Sequence, residues 1–256
     1  MFKMEAVCVI PARLESTRLA RKLLRTIDDK PLLQFVYENA KKAKKIERVI
    51  VACDHESIKE CVESFGGEAI LTSSHHTSGT ARIAEVAKKL SCELIVNLQG
   101  DEPLMPSEVI DHVVTALQRD FSCVMSTACV PKTDSQEFMN PNVVKVTKDQ
   151  NGWALYFSRA PIPYRRDSGA ALSPVRYFKH LGIYGYRRDF LLRFSTLLAS
   201  SLEQTEKLEQ LRVLENGYRI KVIETVHDSI GVDTEEDFQW VKERLSSSHR
   251  VGANRA

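Results

Sequence analysis

Between Pro11 and Leu24 the chain reads PARLESTRLARKLL, in which Arg13, Arg18, Arg21 and Lys22 are interleaved with Ser16 and Thr17. Guanidinium and ammonium groups beside hydroxyl and backbone donors are what a triphosphate requires. The loop matches neither GxxxxGK[ST] nor GxGxxG, which argues against a kinase and against an NAD enzyme. A solvated basic loop is the plain alternative. A second charged stretch, NLQGDEP, sets Asp101 and Glu102 between Gly100 and Pro103 directly after an apolar run. Mg²⁺ is commonly held by one or two carboxylates together with substrate phosphate oxygens, so an acid at the carboxyl end of a strand suits it; an ordinary acidic turn is the bland reading. In a third stretch, DSIGVDTEEDF, Asp233 follows an apolar strand and a glycine and precedes a helix. Two acids so far apart in sequence can meet across one crevice. The alternative here is a helix start, with Thr234 and Asp237 as a capping box and Asp233 favouring the helix N-terminus.

Other candidates carry less alone. In HHTSGTARIAE, His75 and His76 look like a metal pair, but adjacent histidines rarely share one ion, and Ser78 or Thr80 reads more simply as a helix cap. Gly79 and Arg82 in the same stretch can face a phosphate or carboxylate. In KHLGIYGYR, His180 and Tyr184 stand four residues apart, on the same face of a strand.

These loops need a frame. Apolar runs at 6–10, 48–53, 68–72 and 93–99 alternate with helix-like stretches at 31–45, 55–65, 80–90 and 106–119. Such alternation predicts a three-layer α/β fold with a mostly parallel central sheet covered on both faces. Open parallel sheets bind ligands beyond the carboxyl ends of their strands, where the charged loops fall. The lysines at 41, 42, 44 and 45 read as a solvated helix end. After Cys123 the pattern turns strand-rich, with a helix at about 205–216, a strand at 219–226 and a last helix from Thr234. We expect one domain over residues 1–256, with a smaller strand-rich second lobe and a frayed tail, SSSHRVGANRA.

Composition narrows the partners. With 43% hydrophobic and 27% charged residues the chain can bury a sizeable core, and a net charge of +2 demands no nucleic acid. Six cysteines without a CxxC pair read as buried thiols in a reducing cytosol. No stretch reaches the roughly 20 apolar residues a membrane span needs, so the expectation is a soluble, cytoplasmic protein with no membrane partner.

Taken in order, VIPAR, STRL with its following lysine, SGTxR, NLQGDEP, NPNVVKV, ALYFSRAPIP, HLGIYGYR, LEQLRVLENG and GVDTEEDF resemble the 3-deoxy-D-manno-octulosonate (Kdo) cytidylyltransferases, or CMP-Kdo synthetases, over nearly the whole chain. The resemblance implies a nucleotide-sugar transferase fold of Rossmann-like type and the reaction of CTP with Kdo to give CMP-Kdo and pyrophosphate for lipopolysaccharide assembly. It implies Mg²⁺ as cofactor, with Asp101 and Asp233 as metal ligands and Glu102 in a supporting position. Arg13, Ser16 and Lys22 match positions that hold the CTP phosphates; Arg13, Lys22 and Asp101 match those closest to the chemistry. Ser78, Gly79, Arg82 and Gln99 match positions lining the nucleotide and sugar pocket, and Arg159, His180, Tyr184, Glu209 and Gln210 the side that receives Kdo. The family is generally dimeric, and ALYFSRAPIP is a plausible homodimer interface. Related readings are a CMP-sialic acid synthetase, with the same chemistry on another acceptor, and a non-catalytic nucleotide-binding protein.

The chain departs from the family pattern at two points. After STRL the family continues Pro-Gly-Lys-Pro, whereas this chain has Ala20, Arg21, Lys22 and Leu23. Arginine takes positive φ only at a cost, so a changed loop path is expected there. Cys53 stands where VATD has threonine, beside the expected base pocket, which suggests softer discrimination between CTP and UTP.

Overall fold

The computed structural model describes residues 4–16, 18–167, 174–194 and 196–253, with side chains to 246. The N-terminal half alternates as read. β1 (Ala6–Ala12) is followed by the small strands β2 (Thr26–Ile27) and β3 (Lys30–Pro31), α1 (Leu32–Lys41), β4 (Arg48–Cys53), α2 (Glu56–Ser64) and β5 (Ala69–Leu71). Then come α3 (Gly79–Ala87), β6 (Leu94–Leu98), α4 (Ser107–Arg119), β7 (Met125–Lys132), α5 (Ser135–Met139), β8 (Lys145–Lys148) and β9 (Ala154–Ser158). The chain closes with β10 (Tyr177–Arg187), α6 (Arg188–Phe194), α7 (Ser201–Glu206), α8 (Gln210–Glu215), β11 (Ile220–Glu224) and α9 (Glu235–Ala253).

The main sheet runs β11-β7-β10-β6-β1-β4-β5. Its neighbours pair in parallel except across β10, which is antiparallel to both β6 and β7. The strand-rich lobe is the β8–β9 hairpin, hung from β10 and continuous with the same sheet. Alternate residues of β1 feed opposite faces: Cys8, Ile10 and Ala12 enter one apolar cluster, Val7 and Val9 the other. This two-sided burial is why the run reads as continuously apolar rather than alternating. A third, smaller cluster joins Leu19, Ile27, Leu32 and Phe35 to Val232, Phe238 and Val241. It lies beneath the basic loop and clamps it to the start of α9.

Three expectations change. The helix expected at 205–216 is two, α7 and α8, because Lys207 turns left-handed at φ 55. Glu206 is held at that break, its carboxylate accepting from Ser158 Oγ and the Arg159 backbone N–H. The tail expected to fray continues α9 as far as Ala253. The lysine run is only partly a helix end: α1 stops at Lys41, and the backbone N–H groups of Lys44 and Lys45 donate to the Asp111 carboxylate at 3.1 and 2.8 Å.

Lys145 is fully buried, and its ammonium donates to the carbonyls of Asn140, Val143 and Arg159 at 3.0, 2.7 and 2.7 Å. It ties the 140–144 segment to the end of β9. A Lys145→Met variant leaves three partly buried carbonyls without their ammonium donor, so it should lose about 1–3 kcal/mol of stability in urea denaturation. A loss below about 0.5 kcal/mol, the ordinary range for an innocuous surface change, would contradict this role.

Candidate active site

β1 and β6 are adjacent and parallel, so the basic loop after β1 and the NLQGDEP turn after β6 emerge side by side. Gly100 makes this approach possible: a Cβ there would lie 3.1 Å from the Pro11 carbonyl oxygen. The Val232 N–H donates to the Asp101 carbonyl at 2.8 Å, which docks the segment before α9 on the same turn. Asp233 therefore arrives beside Asp101 without directly following a strand, since β11 ends at Glu224. Thr234 and Asp237 do form reciprocal hydrogen bonds at the start of α9, 2.9 and 3.2 Å, so the capping reading and the convergence of acids both hold.

Lys22 lies at the junction. Its ammonium donates to the Asp101 carboxylate, to the Val232 carbonyl at 2.7 Å and to Asp233 Oδ1 at 3.0 Å. Burial by itself would lower the Lys22 pKa, but the two carboxylates outweigh it and hold the pKa above its ordinary value. Arg18 reaches the other oxygen of Asp233 at 2.8 Å. Arg21, one residue before Lys22, adopts φ 49. The departure from glycine is thus met by strain at Arg21, of order 1–2 kcal/mol for a side chain in this region.

Two cavities meet at the two aspartates, each of which lines both. The first, about 320 Å³, is lined by Arg13, Ser16, Lys22, Ser78, Gly79, Arg82, Gln99 and Glu209 among others. Ser78 caps α3, accepting from the Ala81 N–H, and aims the positive end of the helix at this cavity. Arg82 is buried, donating to Thr72 Oγ1 at 2.7 Å and to Asp54 Oδ2 at 3.1 Å, while Asp54 Oδ1 accepts from the Leu14 N–H at 2.9 Å. Asp54, which sequence reasoning missed, so fastens the basic loop to the cavity's floor. The histidine pair is not a metal pair, since His76 bonds Glu85 at 2.6 Å and His75 is exposed. Cys53 lines neither cavity; its buried thiol lies against the Ile70 carbonyl, so the expectation about base discrimination lacks a contact. Thr17 lies outside the described residues.

The second cavity, about 590 Å³, is lined by Arg18, Lys179, His180, Tyr184 and Gln210 together with the acids Asp101, Glu102, Glu137, Asp233 and Asp237. Register in β10 shifts between Leu181 and Tyr184, and the Thr127 hydroxyl bridges the irregularity by donating to Ile183 O at 2.7 Å. That leaves the hydroxyl oxygen to accept from His180 Nε2, 2.9 Å away, so the ring proton is assigned to Nε2 and Nδ1 is the acceptor. Burial pushes the His180 pKa down to about 3, which keeps the ring neutral, and burial raises the Tyr184 phenol well above its usual value. Gln210 is buried, yet its Nε2 has no hydrogen-bond partner among the described residues, a donor that invites an acceptor in the cavity. At the start of α8, Glu209 lines the first cavity and its neighbour Gln210 lines the second.

Arg159 is the one predicted site residue that lines neither cavity. Its guanidinium donates to the carbonyls of Glu206 and Pro141 at 2.7 and 3.0 Å. Glu102 accepts from Ser229 Oγ and packs against Gly182, and burial raises its pKa to about 7. It supports the turn beside Asp101, as expected.

A cationic cavity joined through two acids to a second polar cavity is the arrangement of a nucleotidyl-transferring enzyme. The profile of the family described as cytidylyltransferase matches residues 7–223. A 3-deoxy-manno-octulosonate cytidylyltransferase of Geotalea uraniireducens is 49% identical over 94% of this chain and 99% of its own length. That of Fusobacterium nucleatum is 48% identical over 93% and 96%. Among solved structures, a CMP:2-keto-3-deoxy-manno-octonic acid synthetase complexed with CTP superposes with a TM-score of 0.90 at 39% identity, covering 95% of this chain and 99% of that one. A 4-diphosphocytidyl-2C-methyl-D-erythritol synthase from Anaerococcus prevotii, 16% identical with a TM-score of 0.65 over 96% of this chain and 100% of its own, shares the fold. The chain belongs to the cytidylyltransferase family and, within it, to the 3-deoxy-manno-octulosonate cytidylyltransferases.

His180 generates a pH prediction. Below about pH 6.5 the unfolded chain protonates this ring, whereas the folded chain does so only near 3. Stability is therefore lost as pH falls. Between pH 7 and 5 the wild-type advantage over His180→Gln should shrink by about 2 kcal/mol in urea denaturation. A constant difference would show that His180 is not held neutral.

Proposed function

We propose that this chain activates 3-deoxy-D-manno-octulosonate with CTP, forming CMP-Kdo and releasing pyrophosphate. One observation carries the reading: Asp101 and Asp233 line both cavities, so a triphosphate in the first and a sugar acid in the second would meet at the same pair of carboxylates.

Mg²⁺ fits this junction. Carboxylate oxygens of Asp101 and Asp233 and the Val232 carbonyl already converge on one cation, the Lys22 ammonium, and hard oxygen donors suit the ion. Among the described residues no cluster of three or more His, Cys, Asp or Glu side chains is built to hold a metal unaided, so the remaining ligands would have to come from substrate phosphates or water. When bound, it supplies charge neutralisation at the phosphates and acidifies a hydroxyl beside it.

The reaction joins the anomeric 2-hydroxyl of the sugar acid to the α-phosphorus, in line with departing pyrophosphate. Arg13 and Lys22 offset charge on the transferring and leaving phosphates, with Ser16 and the start of α3 as neutral donors. On the acceptor side, Gln210 offers an amide proton, and neutral His180 can engage sugar hydroxyls without adding charge. Arg18 and Lys179 are the cations lining that cavity, suited to an acceptor that carries a carboxylate. The edge strand β9, with Leu155 exposed, and Tyr164 just beyond it support a homodimer through this face. Six free thiols, most of them buried, support a reducing cytoplasm as its location.

Pyrophosphate release from CTP and Mg²⁺ should appear with Kdo and not with sialic acid or without acceptor. Asp101→Ala should reduce it about 100-fold to 1000-fold, the usual cost of one well-aimed electrostatic group. Release with sialic acid would overturn the acceptor, and a loss within several-fold in Asp101→Ala would overturn the metal role.

A further inference from the structure

We infer that Lys22 and the divalent cation exclude each other at Asp101 and Asp233, so that the cation enters together with the nucleotide and not before it. The Lys22 ammonium takes three oxygens at once, one from each aspartate and the Val232 carbonyl between them. These are oxygens a hard cation would use, and a metal coordinated by the same three would have to take the ammonium's place. The lysine is not a casual visitor. Its side chain is only 12% exposed, and the loop that carries it is fixed by Leu19 and Leu23, both buried. Arg18 holds the remaining oxygen of Asp233, so both carboxylates face cations from one loop.

A triphosphate changes this competition because it presents several anionic oxygens to the same loop. Lys22 can then leave the aspartates for phosphate, and the carboxylates it releases are free for a cation carried in by the same nucleotide. The apparent affinity for cation alone is reduced by the small fraction of molecules in which Lys22 has already moved. Premature loading by free cation is thereby suppressed, and the two aspartates stay aligned by the ammonium meanwhile.

The inference rests on the reading of Asp101 and Asp233 as the metal carboxylates, and its test separates the two. Binding of Mn²⁺ alone, without nucleotide, is measured from the EPR signal of the free ion for wild type, Lys22→Met and Lys22→Arg. Lys22→Met should bind about tenfold tighter or better than wild type, whereas Lys22→Arg, which keeps a cation, should remain weak. Adding Asp101→Asn to Lys22→Met should abolish the gain. Equal affinity in wild type and Lys22→Met, in a protein that still takes Mn²⁺ together with CTP, would overturn the exclusion while leaving the carboxylates as metal ligands. A gain that survives Asp101→Asn would overturn both. Lys22→Met leaves two carboxylates facing each other, so its unfolding transition is recorded with and without Mn²⁺, and the ion should raise its midpoint more than that of wild type. Lys22→Gln carries the same expectation should the methionine variant fail to fold.

Discussion

One ammonium group between two carboxylates organises this molecule. Lys22, Asp101 and Asp233 come from segments 79 and 211 residues apart, yet three oxygens converge on a single nitrogen. Among the described residues no other side chain bonds both the NLQGDEP turn and the approach to α9 from the basic loop. An unpaired charge at 12% exposure would be costly, and two carboxylates at close range would repel. Each of the three groups makes the others tolerable. The same arrangement holds Lys22 in the lining of the first cavity, where it adds to the arginines a counter-charge for anionic phosphate.

The fold brings these groups together by ordinary means. Parallel pairing of β1 with β6 sets two loops at one sheet edge, and Gly100 lets them touch. The apolar cluster that includes Leu19 and Val232 lies beneath the charges and supplies the burial that an exposed ion pair lacks. Arg25 adds a rim, bonding Glu235 and stacking 4.0 Å over Phe238. Beside the second cavity β10 is irregular, and Gly182 lies against Glu102 where a Cβ would come within 3.3 Å of a carboxylate oxygen.

Much of this was legible in the sequence. Strands with continuous apolar burial, such as β4 at Arg48–Cys53, announced themselves because both faces of the sheet are covered. Asp101 and Asp233 were legible because each follows a glycine-bearing apolar stretch that positions a loop. What stayed hidden depends on partners remote in sequence. Lys145 reads as an exposed lysine within a strand until its three carbonyls are known, and Asp54 reads as a loop acid until Leu14 and Arg82 are seen beside it. Arg159 was assigned to the pocket by resemblance; its bonds to the Glu206 and Pro141 carbonyls, the second of these beside residues that line the second cavity, are contacts that periodicity cannot report. The split at Lys207 was likewise invisible, because the pattern on either side stays amphipathic while one residue changes the hand of the backbone.

The central claim is energetic coupling between Lys22 and Asp233 across 211 residues. A double-mutant cycle on stability, with Lys22→Met, Asp233→Asn and the pair compared in urea without nucleotide or divalent ion, measures it directly. The account predicts a coupling of about 1–3 kcal/mol, with the second substitution costing much less once the first is made. Additivity within about 0.3 kcal/mol would mean that the lysine and the aspartate act independently, and would contradict the account.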